Sequence, residues 1–333
     1  MNRQIRYPVW LLVMFLSVAF YPQAQEYKHL LRGFDDNDGI DIRGMGSDEG
    51  YTNGTRIDLL YQPAKQRSLL YRLLPKAGDS SITTYGWGIM QVMYTPNQLK
   101  TPFPPANDYP YAGGLFAAHT FHSANPLKKL NLQSEIIVGV MGPPSLAEGF
   151  QKFIHKTFGF ITPRGWDSQM PTDLLLNYNF TVEKGLYDKH SLLDVSAGAQ
   201  LAAGTMQNSG YVYGLLRLGK RSPYYSGLIQ QYTPPPGDAK RWQLHAIIKP
   251  GAQLMLYNAL FQGGMFNKES PYRGKVHGGH HSVQPVKWVG RFDFGVMASS
   301  GRASVLFMQS LRTREAQGIR PHSVGTISLQ LAW

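Results

Sequence analysis

Polar side chains that could carry out a hydrolysis occur in two separate stretches of this chain. Asn37 and Asp38 end one predicted strand, and Thr52 lies at the start of the next. Gln151 and His155 are four residues apart on a predicted helix, so their side chains project from the same face. Imidazole can act as a general base near neutral pH, and amide, hydroxyl and carboxylate groups can orient water. These groups indicate a hydrolytic site if the fold brings the two stretches together.

Each of these residues also has a structural interpretation. Asn37 and Asp38 are typical turn formers, because their side chains mimic backbone groups. A helical histidine such as His155 is more often a packing residue than a base. A glycine-interrupted cluster could bind a transition metal, but no carboxylate lies close to it in sequence, so an exposed loop is the favoured interpretation. That cluster comprises His277, His280 and His281.

The N-terminal residues resemble a secretory signal peptide. Arg3 and Arg6 precede an apolar run, Pro8 to Phe20, that is too short to cross a bilayer comfortably. We expect residues 1–24 to be removed by cleavage near Ala24, with an N-terminal membrane anchor as the alternative. The chain contains no cysteine, so its fold does not depend on disulfides.

The rest of the chain, residues 25–333, shows the period-two alternation of β-strands. Residues 174–182 carry Leu, Tyr, Phe and Val at even positions, whereas Asn and Thr occupy the odd positions from 177 onward. Residues 130–140 and 286–296 alternate in the same way. A soluble β-sandwich alternates too, so this pattern alone does not decide between the two folds.

Three features favour an all-β, closed antiparallel outer-membrane β-barrel. These are the export signal, the many segments separated by turn residues, and a last segment that ends in an aromatic residue, Trp333. Such an ending is typical of chains that the barrel-assembly machinery recognises. Segments begin near residues 27, 54, 82, 111, 129, 173, 190, 209, 241, 253, 286, 302 and 322. Bacterial barrels have an even strand number, so we expect two of these segments to merge and leave about twelve strands.

The formal charge of +12 falls to +10 when Arg3 and Arg6 leave with the signal peptide. A basic surface suits an anionic partner. An exported barrel does not normally meet nucleic acid, but it lies beside the phosphorylated glycolipid of the outer leaflet. We therefore expect a lipid partner and no nucleic acid.

One segment breaks the strand pattern. Ser145 and Glu148 have the spacing of a capping box, which predicts a helix that runs to about Phe158 and stops at Gly159. The connection that holds this helix joins strands five and six, and the connection after Asn37 joins strands one and two. Because a barrel of this kind starts and ends in the periplasm, both connections are expected at the extracellular rim.

Several short motifs, in order along nearly the whole mature chain, resemble the outer-membrane lipid A 3'-O-deacylase family. The motifs are Asn37-Asp38, Asp48, Tyr51-Thr52-Asn53-Gly54, Tyr109-Pro110-Tyr111-Ala112-Gly113, Gly142-Pro143, Gln151-x-x-x-His155, Gly165-Trp166-x-x-Gln169, Tyr257-Asn258, Gly263-Gly264 and Arg312-Thr313-x-Glu315. The resemblance implies a twelve-stranded barrel and a calcium-dependent esterase that removes the 3'-linked acyloxyacyl group of lipid A. The chain departs from the family pattern at Gly50, where an aromatic residue is common, and at Asp173, where a Glu is usual.

The same resemblance implies a role for each candidate residue. His155 would be the general base that takes a proton from water, and Gln151 would hold the water or the imidazole. Asn37, Asp38 and Thr52 would form a polar wall, with Asn37 and Asp38 as ligands of Ca²⁺, which prefers hard oxygen donors. The cation would stabilise the oxyanion that forms on the ester carbonyl. Asp173 would take the place of the family's Glu.

Two other functions remain open from the sequence. A passive barrel, either a small-solute channel or a purely structural protein, explains the signal peptide and the alternation equally well. An outer-membrane phospholipase would share the barrel and calcium but usually needs a Ser nucleophile paired with His. Ser145 is assigned to the helix cap and Ser168 has no matching pattern, so the phospholipase ranks third.

Overall fold

The computed structural model describes residues 27–42, 50–63, 73–103, 108–189, 192–234, 242–267 and 285–333. The predicted signal peptide, Asp48 and the histidine cluster at 277–281 lie outside the described residues. No helix within the described ranges is long and apolar enough to cross a membrane.

Twelve antiparallel strands close into one barrel within the described part of the chain, which confirms the predicted fold. Their bounds are β1 (His29–Asn37), β2 (Gly50–Tyr61), β3 (Ile82–Thr95), β4 (Ala112–Asn125), β5 (Leu130–Met141), β6 (Asp173–Lys189), β7 (Leu193–Gly204), β8 (Gln207–Lys220), β9 (Gln243–Asn258), β10 (Trp288–Ser300), β11 (Ala303–Arg312) and β12 (His322–Ala332). The two segments that merge are those predicted to begin near 241 and 253, because β9 continues through Pro250 and Gly251.

Strand β1 pairs with β12 from Leu30 opposite Ala332 to Asn37 opposite Gly325, so the start of β1 and the end of β12 lie at the same end of the barrel. Outer-membrane barrels place this end in the periplasm. The ring of His29 stacks on that of Trp333 there, with 5.6 Å between centroids. The opposite end is the extracellular rim, where β1 passes into β2 and β5 into β6.

Successive side chains of each strand point alternately outward and inward, which gives the barrel an apolar outer face and a charged lumen. Trp87 and Ile89 of β3 point outward and are exposed. Arg56 points inward, where its Nε donates to Asp58 at 2.7 Å and its Nη2 to Glu135 at 2.6 Å. An integral outer-membrane protein needs this arrangement, since the outer face meets hydrocarbon.

The residues between β8 and β9 fold back into the periplasmic end of the lumen. Leu228 and Ile229 pack there against Leu30 and Leu60 of the wall. Tyr232 accepts a hydrogen bond from Arg32 Nη1 at 2.9 Å. Residues 221–234 therefore form a plug, which we call the periplasmic plug.

Two helices lie at the extracellular end within the described residues: α1 (Ala147–Phe158) and α2 (Ala259–Gln262). Helix α2 covers the lumen, where Phe261 packs edge-on against Tyr94 with 4.7 Å between ring centroids. Helix α1 stops at Gly159, which adopts the left-handed conformation (φ 74°), as predicted.

The predicted capping box of α1 is wrong. Pro143 and Pro144 start a 3-10 turn, and Leu146 follows it in the left-handed conformation (φ 60°) as the N-cap residue, without a side-chain cap. Ser145 is buried and lies one residue before the N-cap, and its Oγ accepts only a long hydrogen bond, at 3.5 Å, from the backbone N–H of Ala147. Glu148 instead accepts from Lys152 Nζ at 2.5 Å, one turn further along.

Candidate active site

Helix α1 lies against the outer surface of the barrel wall, not in the lumen. On β4, Thr120 points into the lumen, where its hydroxyl donates to Glu135 at 3.1 Å, so the odd-numbered residues point outward. Gly113 is one of them, and a Cβ atom there would overlap Ser145 Oγ and Ala147 Cβ. Gln91, outward on β3, donates from Nε2 to the Ser145 carbonyl at 2.7 Å. The close approach of α1 to the wall therefore depends on a glycine.

A buried apolar cluster fixes α1 in this position. It contains one residue of α1, outward residues of the wall and residues of the connections on either side: Met93, Leu99, Tyr111, Ala147 and Trp166. Gln151 and His155 follow Ala147 at intervals of one turn, so they face the wall as well. They are only 3% and 4% exposed. The amphipathic pattern thus buries the polar pair and not the phenylalanines.

The surroundings of His155 determine which ring nitrogen is basic. Nδ1 lies in hydrogen-bond contact with the carbonyl oxygen of Ile161. A carbonyl can only accept, so in the neutral ring Nδ1 carries the hydrogen and Nε2 carries the lone pair. Nε2 is therefore the atom that can take a proton.

The amide of Gln151 is oriented by Trp166. The indole Nε1 can only donate, and it lies 2.7 Å from Gln151 Oε1. This fixes the other end of the amide as the donor. Gln151 Nε2 is buried and finds no hydrogen-bond partner among the described residues. A buried donor without a partner is costly, so it commonly marks a place where a ligand atom binds.

Thr52 lies on the same outer side of the wall. A bulge in β2 between Tyr51 and Asn53 accommodates it. Its Oγ1 lies 2.6 Å from Oγ1 of Thr95, which is outward on β3 two residues beyond Met93. Thr52 is thus placed one strand away from the cluster that holds α1.

Asn37 and Asp38 form a turn that also leans over the outer surface. Asn37 Oδ1 accepts from the backbone N–H of Gly39 at 2.8 Å, which is the turn role that its residue type indicates. Gln309, outward on β11, donates from Nε2 to the Ile40 carbonyl at 2.7 Å. Asp38 is 4% exposed. Asn37 and Thr52 therefore share with α1 the outer side of the wall at the extracellular rim, and the turn that holds Asp38 lies at the same rim.

Asp173 lies on the other side of the wall. Its neighbours Leu174 and Leu176 are outward and exposed, so Asp173 points to the lumen. Asp173 Oδ2 accepts from the backbone N–H groups of Phe266 and Asn267, both at 2.9 Å. The structure gives Asp173 the role of anchoring the connection after α2 and does not bring it to the wall face of α1. A catalytic role for it stays a prediction.

A buried hydrogen bond also links two residues at the extracellular end of the lumen. Tyr109 donates to Glu315 Oε2 at 3.2 Å. Burial, and then the negative charge of Glu315, raise the pKa of Tyr109 well above its usual value. The phenol therefore stays protonated and keeps this bond over the whole range in which proteins work.

Sequence reasoning missed three residues next to the candidates. Thr95 and Trp166 contact Thr52 and Gln151, as described above. Asp35 shares the outward face of β1 with Asn37 and accepts from Asn53 Nδ2 at 3.0 Å. The period-two alternation of β1 could have identified Asp35. Trp166 stood in the motif Gly165-Trp166-x-x-Gln169, but no site role was assigned to it.

The described residues contain no group of three or more His, Cys, Asp or Glu side chains that could hold a metal ion. The candidate oxygen donors at the extracellular end are the Asp38 carboxylate, the Asn37 amide, the Thr52 hydroxyl and nearby backbone carbonyls. These donors are hard oxygens, so they suit calcium in kind.

Comparison with known proteins identifies the family and the fold of the chain. The family model described as outer membrane protein LpxR matches residues 9–333. LpxR from Salmonella typhimurium has a similar structure, with a TM-score of 0.71 and 15% identity over 91% of this chain and 100% of that one. The β domain of the Bordetella autotransporter BrkA is less similar, with a TM-score of 0.41 and 9% identity over 93% of this chain and 99% of that one. No curated protein sequence matches the chain. The chain is an integral outer-membrane β-barrel and belongs to the outer membrane protein LpxR family, the lipid A deacylases that its motifs resemble.

Proposed function

We propose that this protein is a carboxylic ester hydrolase that removes the 3'-linked acyloxyacyl group of lipid A in the outer leaflet. The observation that carries the proposal is the buried pair on α1, in which His155 presents a basic Nε2 and Gln151 presents an unsatisfied Nε2 donor. Both residues lie outside the lumen, buried between α1 and the wall, so a lipid would approach them without entering the barrel.

The reaction needs one base and one donor. His155 Nε2 takes a proton from water, and the resulting hydroxide adds to the ester carbonyl carbon. The carbonyl oxygen becomes an oxyanion, and Gln151 Nε2 donates a hydrogen bond to it. The bond from the acyl carbon to the sugar oxygen then breaks, and His155 returns its proton to that oxygen. The products are the free acyloxyacyl acid and a sugar hydroxyl, so the atoms of one water are accounted for.

Calcium is the proposed cofactor, and Asp38 and Asn37 are its proposed ligands. Asp38 is a largely buried carboxylate at the start of the first connection, and carboxylate oxygens are the donors that calcium prefers. When bound, calcium supplies positive charge beside the ester carbonyl. Backbone carbonyls, water or substrate oxygens would complete its coordination, since Ca²⁺ takes six to eight oxygen ligands.

The alternatives have weaker support. A channel needs an open lumen, whereas the periplasmic plug and α2 fill the two ends of this one. A phospholipase needs a serine nucleophile beside His155. Ser145 Oγ is pressed against Gly113, and Ser168 Oγ donates to the Gly165 carbonyl at 2.7 Å. We also propose the barrel-assembly machinery as a partner, on the strength of the outward apolar residues of β12 that end in Trp333.

Acyl-chain release separates these functions. The purified protein is incubated with lipid A and, separately, with phospholipid, each with and without a calcium chelator, and the released acids are identified by mass. We expect 3'-linked chains from lipid A alone, none after chelation and none from His155→Ala. Release from phospholipid would establish the phospholipase. Undiminished turnover by His155→Ala would refute the assigned base, and ion conductance in planar bilayers without any release would establish the channel.

A further inference from the structure

Helix α1 has a second face that the proposed chemistry does not use. At about 100° per residue, the wall-facing residues occupy one side of the helix, and a group of large apolar side chains lies on a different side. Phe150 and Phe153 belong to this group and are 38% and 65% exposed. Leu146 before the helix and Phe158, Phe160 and Ile161 at its end extend the group, and all four are exposed. We call these six residues the apolar face of α1.

The third side of α1 is basic. Lys152 and Lys156 are one turn apart, between the wall side and the apolar face. Lys152 is paired with Glu148, and Lys156 is exposed. A helix with an apolar side flanked by lysines has the pattern of helices that lie in the plane of a membrane interface.

The height of α1 on the wall decides what covers the apolar face. Gln91 of β3 contacts the start of the helix through the Ser145 carbonyl. Ile89 and Trp87 come next on the same outward side, and both are exposed in the lipid-facing band. A strand rises about 3.3 Å per residue, so Ile89 lies roughly 7 Å from the residue that holds α1. Interfacial helices bury their apolar side about 5–10 Å into the boundary between headgroups and acyl chains.

We propose that the apolar face of α1 is inserted among the acyl chains of the outer leaflet and continues the lipid-facing band of β3 upward to the extracellular rim. The occupant is membrane hydrocarbon, and Lys156 lies at the level of the anionic headgroups. The helix thereby keeps its wall-facing residues at the depth where ester groups of membrane lipids lie. This inference concerns the membrane position of α1, so it stands or falls independently of the reaction proposed above.

Single-cysteine labelling tests the insertion directly, because the natural chain contains no cysteine. Phe153→Cys carries a fluorescent label on the apolar face. Lys156→Cys, three residues further along the same helix and outside the apolar face, is the matched control. Ile89→Cys marks the hydrocarbon. Each labelled protein is reconstituted in vesicles of phosphatidylethanolamine and phosphatidylglycerol, then exposed to iodide in the buffer or to a lipid with a spin label at mid-chain. The His155→Ala background is used throughout, so hydrolysis plays no part.

We expect the label at position 153 to follow the label at 89, with quenching by the spin-labelled lipid and little quenching by iodide. The label at 156 should show the reverse. Equal iodide quenching at 153 and 156 would overturn the proposal. Shielding of 153 from both quenchers would also overturn it, because a protein segment would then cover the face. If Phe153→Cys does not fold, Phe150→Cys supplies the same measurement from the same face.

Discussion

Trp166 orients Gln151: the indole Nε1 donates to Gln151 Oε1 at 2.7 Å and leaves the buried Nε2 as a donor without a partner. Replacement of Trp166 by Phe keeps the ring in its cluster with Met93 and Tyr111 but removes the N–H. We expect kcat for lipid A to fall on the order of 10- to 100-fold, with little change in KM, because a mispositioned donor stabilises the transition state less well. Steady-state kinetics check this. If the unfolding temperature of Trp166→Phe falls well below that of the wild-type protein, the loss of activity would instead indicate a packing role.

Gly113 sets the distance between α1 and the wall. Gly113→Ala places a methyl group where Ser145 and Ala147 already lie, so we expect α1 to shift and activity to fall about 10-fold or more while the barrel still folds. Gly149→Ala is the matched control, since a Cβ there meets nothing within 4 Å. It should keep activity and stabilise the helix by roughly 0.5–1 kcal/mol. Activity assays on the two variants side by side give the answer, and equal activities would contradict the close packing of α1.

Substitutions of Asp38 and of His155 should affect calcium binding and turnover differently. Asp38→Asn removes the charge of a proposed calcium ligand, so we expect the calcium concentration for half-maximal activity to rise about 10-fold or more. His155→Gln should abolish turnover but leave calcium binding unchanged when it is measured by titration calorimetry. Calcium binding that survives in Asp38→Asn with wild-type affinity would remove Asp38 from the ligand set.

Asp173 should act through the connection that follows α2. Loss of its carboxylate in Asp173→Ala frees the backbone N–H groups of Phe266 and Asn267, so their amide hydrogen exchange should accelerate strongly. Asp173→Asn retains one oxygen acceptor and should restore part of the protection. Asp167→Ala, an exposed acidic residue on the connection after α1, is the control and should leave exchange unchanged. If Asp173→Ala loses all activity while these amides stay protected, the residue contributes to chemistry and not to anchoring.

Asp194 should dominate the stability of the periplasmic plug. It accepts from the buried side chains of Arg217 and Arg221, so Asp194→Ala leaves two buried positive charges without this partner. We expect a loss of about 3–5 kcal/mol in the free energy of unfolding, measured with urea in lipid vesicles. Asp188→Ala is the control, because that side chain is 41% exposed and its pair with Arg221 is long, at 3.3 Å. Its loss should be within about 1 kcal/mol.

The barrel could be predicted from the sequence because period-two alternation reports directly which side chains face lipid. The same signal failed within β9, where Pro250 and Gly251 resemble a turn although both pair with β10. Turn residues are local signals, and pairing on both sides of a strand can override them. Whether two short segments form one strand is therefore settled by neighbours that are distant in sequence.

The site was only partly predictable for a related reason. The four-residue spacing of Gln151 and His155 correctly indicated a shared helix face, but a helical pattern does not state which surface that face meets. Asp173 illustrates the limit. It follows the Gly165–Gln169 motif closely in sequence, but it precedes the outward Leu174 and so points to the lumen, away from α1. The capping box failed because Leu146, in a left-handed conformation, takes the N-cap position that was assigned to Ser145.

Because α1 lies outside the barrel, the rate of the protein should depend on the substrate concentration within the bilayer. A molecule that reaches His155 from the bilayer arrives by diffusion in two dimensions, so its encounter rate depends on its mole fraction among surrounding lipids and not on bulk molarity. Dilution of the substrate with inert lipid at constant total substrate should therefore slow turnover. Addition of more vesicles of the same composition should not raise the rate of protein molecules that are already embedded.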